Sequence, residues 1–246
     1  MRLKGNTMKI CLVALLGLSA AALAQRPAWN FQGGFRGLFQ GKVVTNEPYS
    51  GTGVTTSKRT LSDGNTINES NCVALYRDTS GRTRREETRN SATCSATPQT
   101  ILISDPVAGL QYVINPQNKT YRQFTIRTPP AGATPPTRPA NPNQVQTACA
   151  SQPIAGTSLT AQCTQTVTTI PAGQFGNTQA ITITSTRLYS PDLQIVIQSS
   201  RNDPRSGATT YQLSNISTAE PAESLFQLPS GLTLQQGPSP RGRRAL

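Results

Sequence analysis

The 246-residue chain contains no histidine. That absence excludes a Ser-His-Asp triad, a Cys-His dyad and any zinc site built on imidazole. Neither a G-x-S-x-G elbow nor a phosphate-cradling glycine loop occurs. Acidic residues are scarce, eleven against 23 lysines and arginines. Asp63, Asp78, Asp105 and Asp203 fall in turn sequences, where bonding to the local backbone accounts for them. Glu86 and Glu87 are neighbours on a predicted strand, so they point to opposite faces and cannot act together on one substrate. The sequence therefore predicts a protein that is not an enzyme and takes no cofactor or metal. Aromatic residues make up 5% of the chain, and none interleaves with the basic run at Arg82–Arg85, which argues against nucleic acid as a partner.

Long apolar runs are missing too, apart from one at the start. Arg2, Lys4 and Lys9 precede an apolar stretch, Ile10 to Ala21, and Ala22-Leu23-Ala24 follows it. This is the pattern of a signal peptide spanning residues 1–24 and cleaved near Ala24. Its apolar core is too short for a membrane span, and the mature chain is expected to have none. Cys11 sits at the front of that core, the wrong end for lipid attachment. The mature protein is thus expected to be exported, periplasmic or extracellular. Losing three basic signal residues lowers the net charge from +12 to +9. Such an excess draws the chain towards anionic surfaces in a salt-dependent way, and it also keeps a polar chain soluble.

After cleavage four cysteines remain: Cys72, Cys94, Cys149 and Cys163. In an oxidising compartment an even count points to two disulfides, with three possible pairings. The sequence-local pairs, Cys72–Cys94 and Cys149–Cys163, are preferred. With Ser80 at a hairpin centre, Cys72 faces Thr88 rather than Cys94, so the first bridge requires the chain after Arg89 to fold back. A metal site is the weaker reading, since no C-x-x-C pair is present.

What is present is a recurring unit of short strand, turn cluster and strand. Strands are predicted at Tyr49 to Leu61, Thr66 to Asp78, Arg82 to Thr93, Thr100 to Ser104, Leu110 to Ile114 and Lys119 to Ile126. A second set follows at Leu159 to Ile170, Gln179 to Ser190, Leu193 to Arg201 and Thr209 to Ile216. "DPVAG" (Asp105 to Gly109) and "DPRSG" (Asp203 to Gly207) each join two of them, one in each half. Aspartate bonds the downstream backbone, proline presets φ, and glycine takes the positive-φ position. One β domain, residues 48–228, is expected in two halves, 48–126 and 148–228. The loop between them, 127–147, carries six of the nineteen prolines by residue 144, too many for a strand or helix. Residues 25–47 form a glycine- and aromatic-rich arm with Phe31, Phe35 and Phe39. Residues 229–246 form a basic tail expected to be disordered.

The segment "GRTRREE" (Gly81 to Glu87) has mixed charge on both faces of its predicted strand. It reads as the wet end of a projecting hairpin whose charges pair across strands and discourage edge-to-edge association. The alternative is an anion-reading patch. Asn68, Asn118 and Asn215 lie in N-x-S/T sequons, which a bacterial type of signal peptide leaves to chance.

"PYSGTGVTTSKRTLSDGNTI", "LYRDTSGRTRREE", "ISDPVAGLQYVINPQNKTYR", "TVTTIPAGQFGN", "LYSPDLQIVIQSSRNDPRSGATTYQLSNI" and "ESLFQLP" occur in that order. Together they resemble a group of uncharacterised exported proteins of soil bacteria, over Pro48 to Pro229. More distantly, "YRD", "GRTRRE", the "DP" turn and "YVINPQNKTY" resemble the periplasmic lipoprotein carrier LolA and the sigma-factor regulator RseB. That resemblance implies a curved antiparallel half-barrel around an apolar concave face used for acyl chains or protein segments. "AEPAESLFQLP" (Ala219 to Pro229) offers one helical turn, with Leu225, Phe226 and Leu228 placed to close one end.

The expected fold is all-β, a curved antiparallel sheet built from hairpins with few or no helices. The expected function is a non-catalytic binding or carrier module of the cell envelope. Its partner would be a lipid or other apolar ligand, or an envelope protein. Leu110, Tyr112, Ile114, Tyr121, Leu193, Ile195 and Ile197 are the candidate wall of the site, although plain core is the favoured reading at each position. The alternative is a structural or surface-interaction protein that holds polyanions through Arg82, Arg84, Arg85, Arg241, Arg243 and Arg244.

Overall fold

A computed structural model describes residues 43–126 and 141–235. Residues 1–42, which include the expected signal peptide and most of the expected N-terminal arm, the proline-rich stretch 127–140 and the last eleven residues lie outside the described residues. The strands are β1 (Tyr49–Thr60), β2 (Thr66–Arg77), β3 (Thr83–Thr88), β4 (Thr100–Asp105), β5 (Leu110–Asn115) and β6 (Thr120–Thr125). A second group comprises β7 (Gln144–Pro153), β8 (Thr160–Ile170), β9 (Ile181–Ser190), β10 (Ile195–Asp203), β11 (Gly207–Ser217) and β12 (Thr233–Leu234). The only helical element among the described residues is one 3-10 turn, Glu223–Phe226.

All twelve strands share one curved sheet, in the order β12-β6-β5-β4-β3-β2-β1-β11-β10-β9-β8-β7. It consists of two meanders, β1–β6 and β7–β11, joined where the first strand of one pairs with the last strand of the other. Four hairpin turns repeat one chemistry. In each, a side-chain oxygen at the first position (Asp105, Asn115, Ser190 or Asp203) accepts a bond from a backbone N–H two or three residues on. Proline follows, and the fifth residue (Gly109, Lys119, Gln194 or Gly207) has positive φ. At the last of these a Cβ would lie 2.1 Å from the Lys58 carbonyl oxygen, so the close approach of β1 requires glycine there.

Curvature follows from small residues on the central strand. Tyr49, Gly51, Gly53 and Thr55 alternate on one buried face of β1. Tyr211 and Leu213 lean over the two glycines from β11. On the same face of β2 stand Val73, Leu75 and Arg77, opposite Gly53, Gly51 and Tyr49. The Arg77 guanidinium crosses the hollow to the β9–β10 turn and donates to the Leu193 carbonyl (2.6 Å), while its Nε donates to the Glu47 carbonyl (2.8 Å). That reach past two intervening strands makes this face concave. The main core fills the hollow with Tyr49, Val73, Leu75, Ile154, Leu188, Leu193, Ile197, Leu213 and Ile216.

Four sequence expectations need correction. β3 lies between β2 and β4 and is not a projecting end. It stops at Thr88, because the chain turns at Asn90 (φ 54°) to bring Cys94 back to Cys72. Strand β7 begins at Gln144, inside the stretch expected to be loop, and was invisible to periodicity because Val145 is its only large aliphatic residue and its apolar residues do not alternate. Residues 229–235 are not loose tail. Leu232 packs on the sheet, and Thr233–Leu234 pairs in parallel with β6. Both preferred disulfides are present, Cys72–Cys94 and Cys149–Cys163, and Cys72 does face Thr88.

Candidate functional site

The seven apolar candidates divide into two groups. Leu193 and Ile197 are buried in the main core, and Ile195 packs against it. Ile114 is buried on the other side of the sheet with Ile101 and Ile103, and Tyr112 and Tyr121 pack around it. Leu110 shares the side of Tyr112 and Ile114 by register. This second cluster is on the convex face. Register carries the concave side from Leu75 through Arg85, Leu102 and Val113 to Arg122, whereas Ile103 pairs with Tyr112 and Ile114 with Tyr121 on the reverse.

The strap from Thr218 to Gln235 covers that convex cluster. Its Leu225 carbonyl accepts from Arg84 Nη1 (2.9 Å), Phe226 is 3% exposed, and Leu228 and Leu232 pack against the isoleucines. Glu220 receives the Thr79 backbone N–H (3.1 Å) and its hydroxyl. The segment expected to close one end of a cavity instead seals the outside of the sheet.

Arg82, Arg84 and Arg85 do not form one patch. Arg82 binds Asp78 (2.5 Å) within the β2–β3 turn and lies over the Phe226 ring. Arg84 pairs with Glu86 (2.7 Å) on the convex face. Arg85, 4% exposed, pairs with Glu87 (2.9 Å) on the concave face. Residues two apart on a strand share a face, so each arginine finds its own carboxylate and a strand of alternating charge can be central. Burial pulls the Arg85 guanidinium down to about 10, still charged at neutral pH, with Glu87 opposing that shift. Burial likewise pushes the Tyr49 phenol up to about 12 and raises Tyr211 further. Arg241, Arg243 and Arg244 lie outside the described residues.

What stays open on the concave side is the strip beyond β3. Leu102 and Val113 stand opposite one another and are half-buried. Phe124, two residues beyond Arg122 on the same face of β6, is 47% exposed. Arg122, opposite Val113, is exposed at the outer margin of the strip. Sequence reasoning missed these residues because it followed one parity of β5. The signal was the unbroken Ile101-Leu102-Ile103 run, which shows that both faces of β4 are apolar. Among the described residues no three His, Cys, Asp or Glu side chains gather to hold a metal, and no helix is long and apolar enough to cross a membrane.

No family model and no curated protein matches the chain. Solved structures do. One is MucB of Pseudomonas aeruginosa, in complex with MucA. Sequence identity is 12% and the TM-score 0.42, over 78% of this chain and 59% of that one. Another is a putative outer membrane lipoprotein-sorting protein domain from Vibrio parahaemolyticus, at 9% identity and TM-score 0.28, over 73% and 89%. A third is a LolA-superfamily protein from Nitrosomonas europaea, at 9% identity and TM-score 0.29, over 74% and 90%. The likeness is one of fold. The chain spans about three-fifths of the MucB chain it matches.

Proposed function

We propose that this is an exported, non-catalytic binding module of the cell envelope that takes an apolar chain on the concave face of β4–β6. The half-open strip of Leu102, Val113 and Phe124 carries the reading, because equivalent positions nearer the middle of the sheet are filled by core. Arg122 at its margin suits an acidic head group on that chain, so a fatty acid or similar anionic amphiphile is the ligand class. Burial against such a strip contributes roughly 25 cal/mol per Å² of apolar area, enough for binding without catalytic groups. The apolar part is insensitive to salt and the contact with Arg122 is not. Solved relatives of fold include a domain described as lipoprotein-sorting, which is compatible with this reading.

The test is displacement of the fluorescent probe N-phenyl-1-naphthylamine by palmitate and by hexadecanol. Palmitate is expected to displace it, and Val113→Asp to weaken binding at least about tenfold. Arg122→Gln should narrow the preference for palmitate over hexadecanol. Retained binding in folded Val113→Asp would move the site off this strip.

A further inference from the structure

Strand β7 ends the sheet, and no described strand lies on its outer side. Of its ten residues only Cys149 is even half-buried. It carries no charge, and its one proline is the last residue. Edge strands of monomeric proteins are usually shortened, charged, bulged or covered. The opposite edge follows that rule, since the two-residue β12 covers Thr120 and Tyr121 of β6 and the next residue, Arg122, is charged. A long uncharged edge is a template for another strand.

The geometry says which backbone groups are available. Cys149 and Cys163 face each other with Cα atoms 4.9 Å apart, nearer to the narrow pairing of about 4.5 Å than the wide one of about 5.5 Å. At a narrow pair both residues turn their N–H and C=O away from each other. Cys149, and by alternation Thr147 and Val145, therefore aim these groups out of the sheet. Their side chains share one face. The break in register between Cys149 and Gln152 leaves this part of the strand regular.

We infer that β7 is a docking edge for β7 of a second copy, in an antiparallel two-fold pair centred on Thr147. Centring there places threonine opposite threonine, a favourable cross-strand pair. It also sets Val145, 62% exposed, against the Cys149–Cys163 disulfide of the second copy, and the reverse by symmetry. With no charge on the strand, no like charges meet along the pairing. Roughly seven residues a side make a small interface, so the dimer is weak and reversible, with Kd on the order of 10 micromolar to 1 millimolar. Pairing joins two sheets edge to edge and leaves both Leu102–Val113 strips clear, so it stands apart from ligand binding.

Sedimentation equilibrium of the mature, oxidised protein over roughly 1 to 500 micromolar tests this. A monomer–dimer equilibrium is expected. Thr147→Pro removes an outward N–H without touching a bond to β8 and should weaken the dimer at least about thirtyfold. Ala148→Glu sets like charges diagonally across the two-fold axis and should act in the same direction, which settles the matter should the proline variant melt early. A wild type that stays monomeric throughout overturns the inference. So does a folded Ala148→Glu protein that dimerises as wild type does.

Discussion

An alanine at Gly53 would place its methyl carbon 2.7 Å from the Tyr211 ring and 2.9 Å from Val73. The ring would have to leave the hollow, so Gly53→Ala should lower stability by about 1–3 kcal/mol in urea unfolding. Asp203 gives a second prediction at this scale. Hydrogen bonds from Arg205, with Arg201 also near, hold its carboxyl down at about 2 against an ordinary value near 3.8. A depressed carboxylate contributes stability above the unfolded value, and that contribution is lost as pH falls from about 4 to about 2. Both guanidiniums are about half exposed, which limits the contribution to roughly 1 kcal/mol. Wild type should therefore exceed Asp203→Ala in thermal midpoint at pH 7, and the gap should shrink towards pH 2. Residue roles were only partly legible in the sequence. The aspartates of the D-P turns announce themselves by their neighbours. Arg85 does not, because its burial depends on Glu87 lying two residues on and on Tyr49 and Tyr211 sharing its hollow.

Among the elements, those with apolar alternation or a Gly-containing turn at each end could be read along the chain. β1, β2, β4 and β5 match their expected bounds to within a residue. β7 was missed because an edge strand has no face to bury, so nothing in its composition has to alternate. The strap is different again: its one helical turn was visible, but which side of the sheet it covers depends on the parity of strands over 100 residues earlier. Phe226→Ala should cost about 3–4 kcal/mol, measured by denaturant midpoint, because the ring is 3% exposed and also lies under the Arg82 guanidinium. The disulfides act on the unfolded chain. Cys72 and Cys94 are 22 residues apart and Cys149 and Cys163 are 14 apart, so replacing either pair by serine should cost about 3 kcal/mol.

For the whole molecule, charge is divided sharply. The described residues hold twelve basic and all eleven acidic residues, a net of +1, while the other eleven basic residues lie outside them. Any affinity of the protein for polyanions should therefore depend on those segments. Removing residues 236–246 should lower the salt needed to elute it from heparin, whereas Arg84→Gln should cost stability and leave elution nearly unchanged. The overall class, an antiparallel sheet of hairpins, was legible from turn chemistry, whereas its curvature was only what the resemblance implied. The join between the meanders was not, since no local pattern pairs Val54 with Gln212. That join governs how the protein is born. A chain synthesised amino end first delivers β1 about 150 residues before the strand that must lie beside it, and the strap arrives later still. Until then β1 presents a bare edge and the Ile101–Ile103–Ile114 surface stays wet. Folding thus waits on the last stretch of the chain to be made, and a stalled or truncated product presents a sticky half-sheet for proteases to clear.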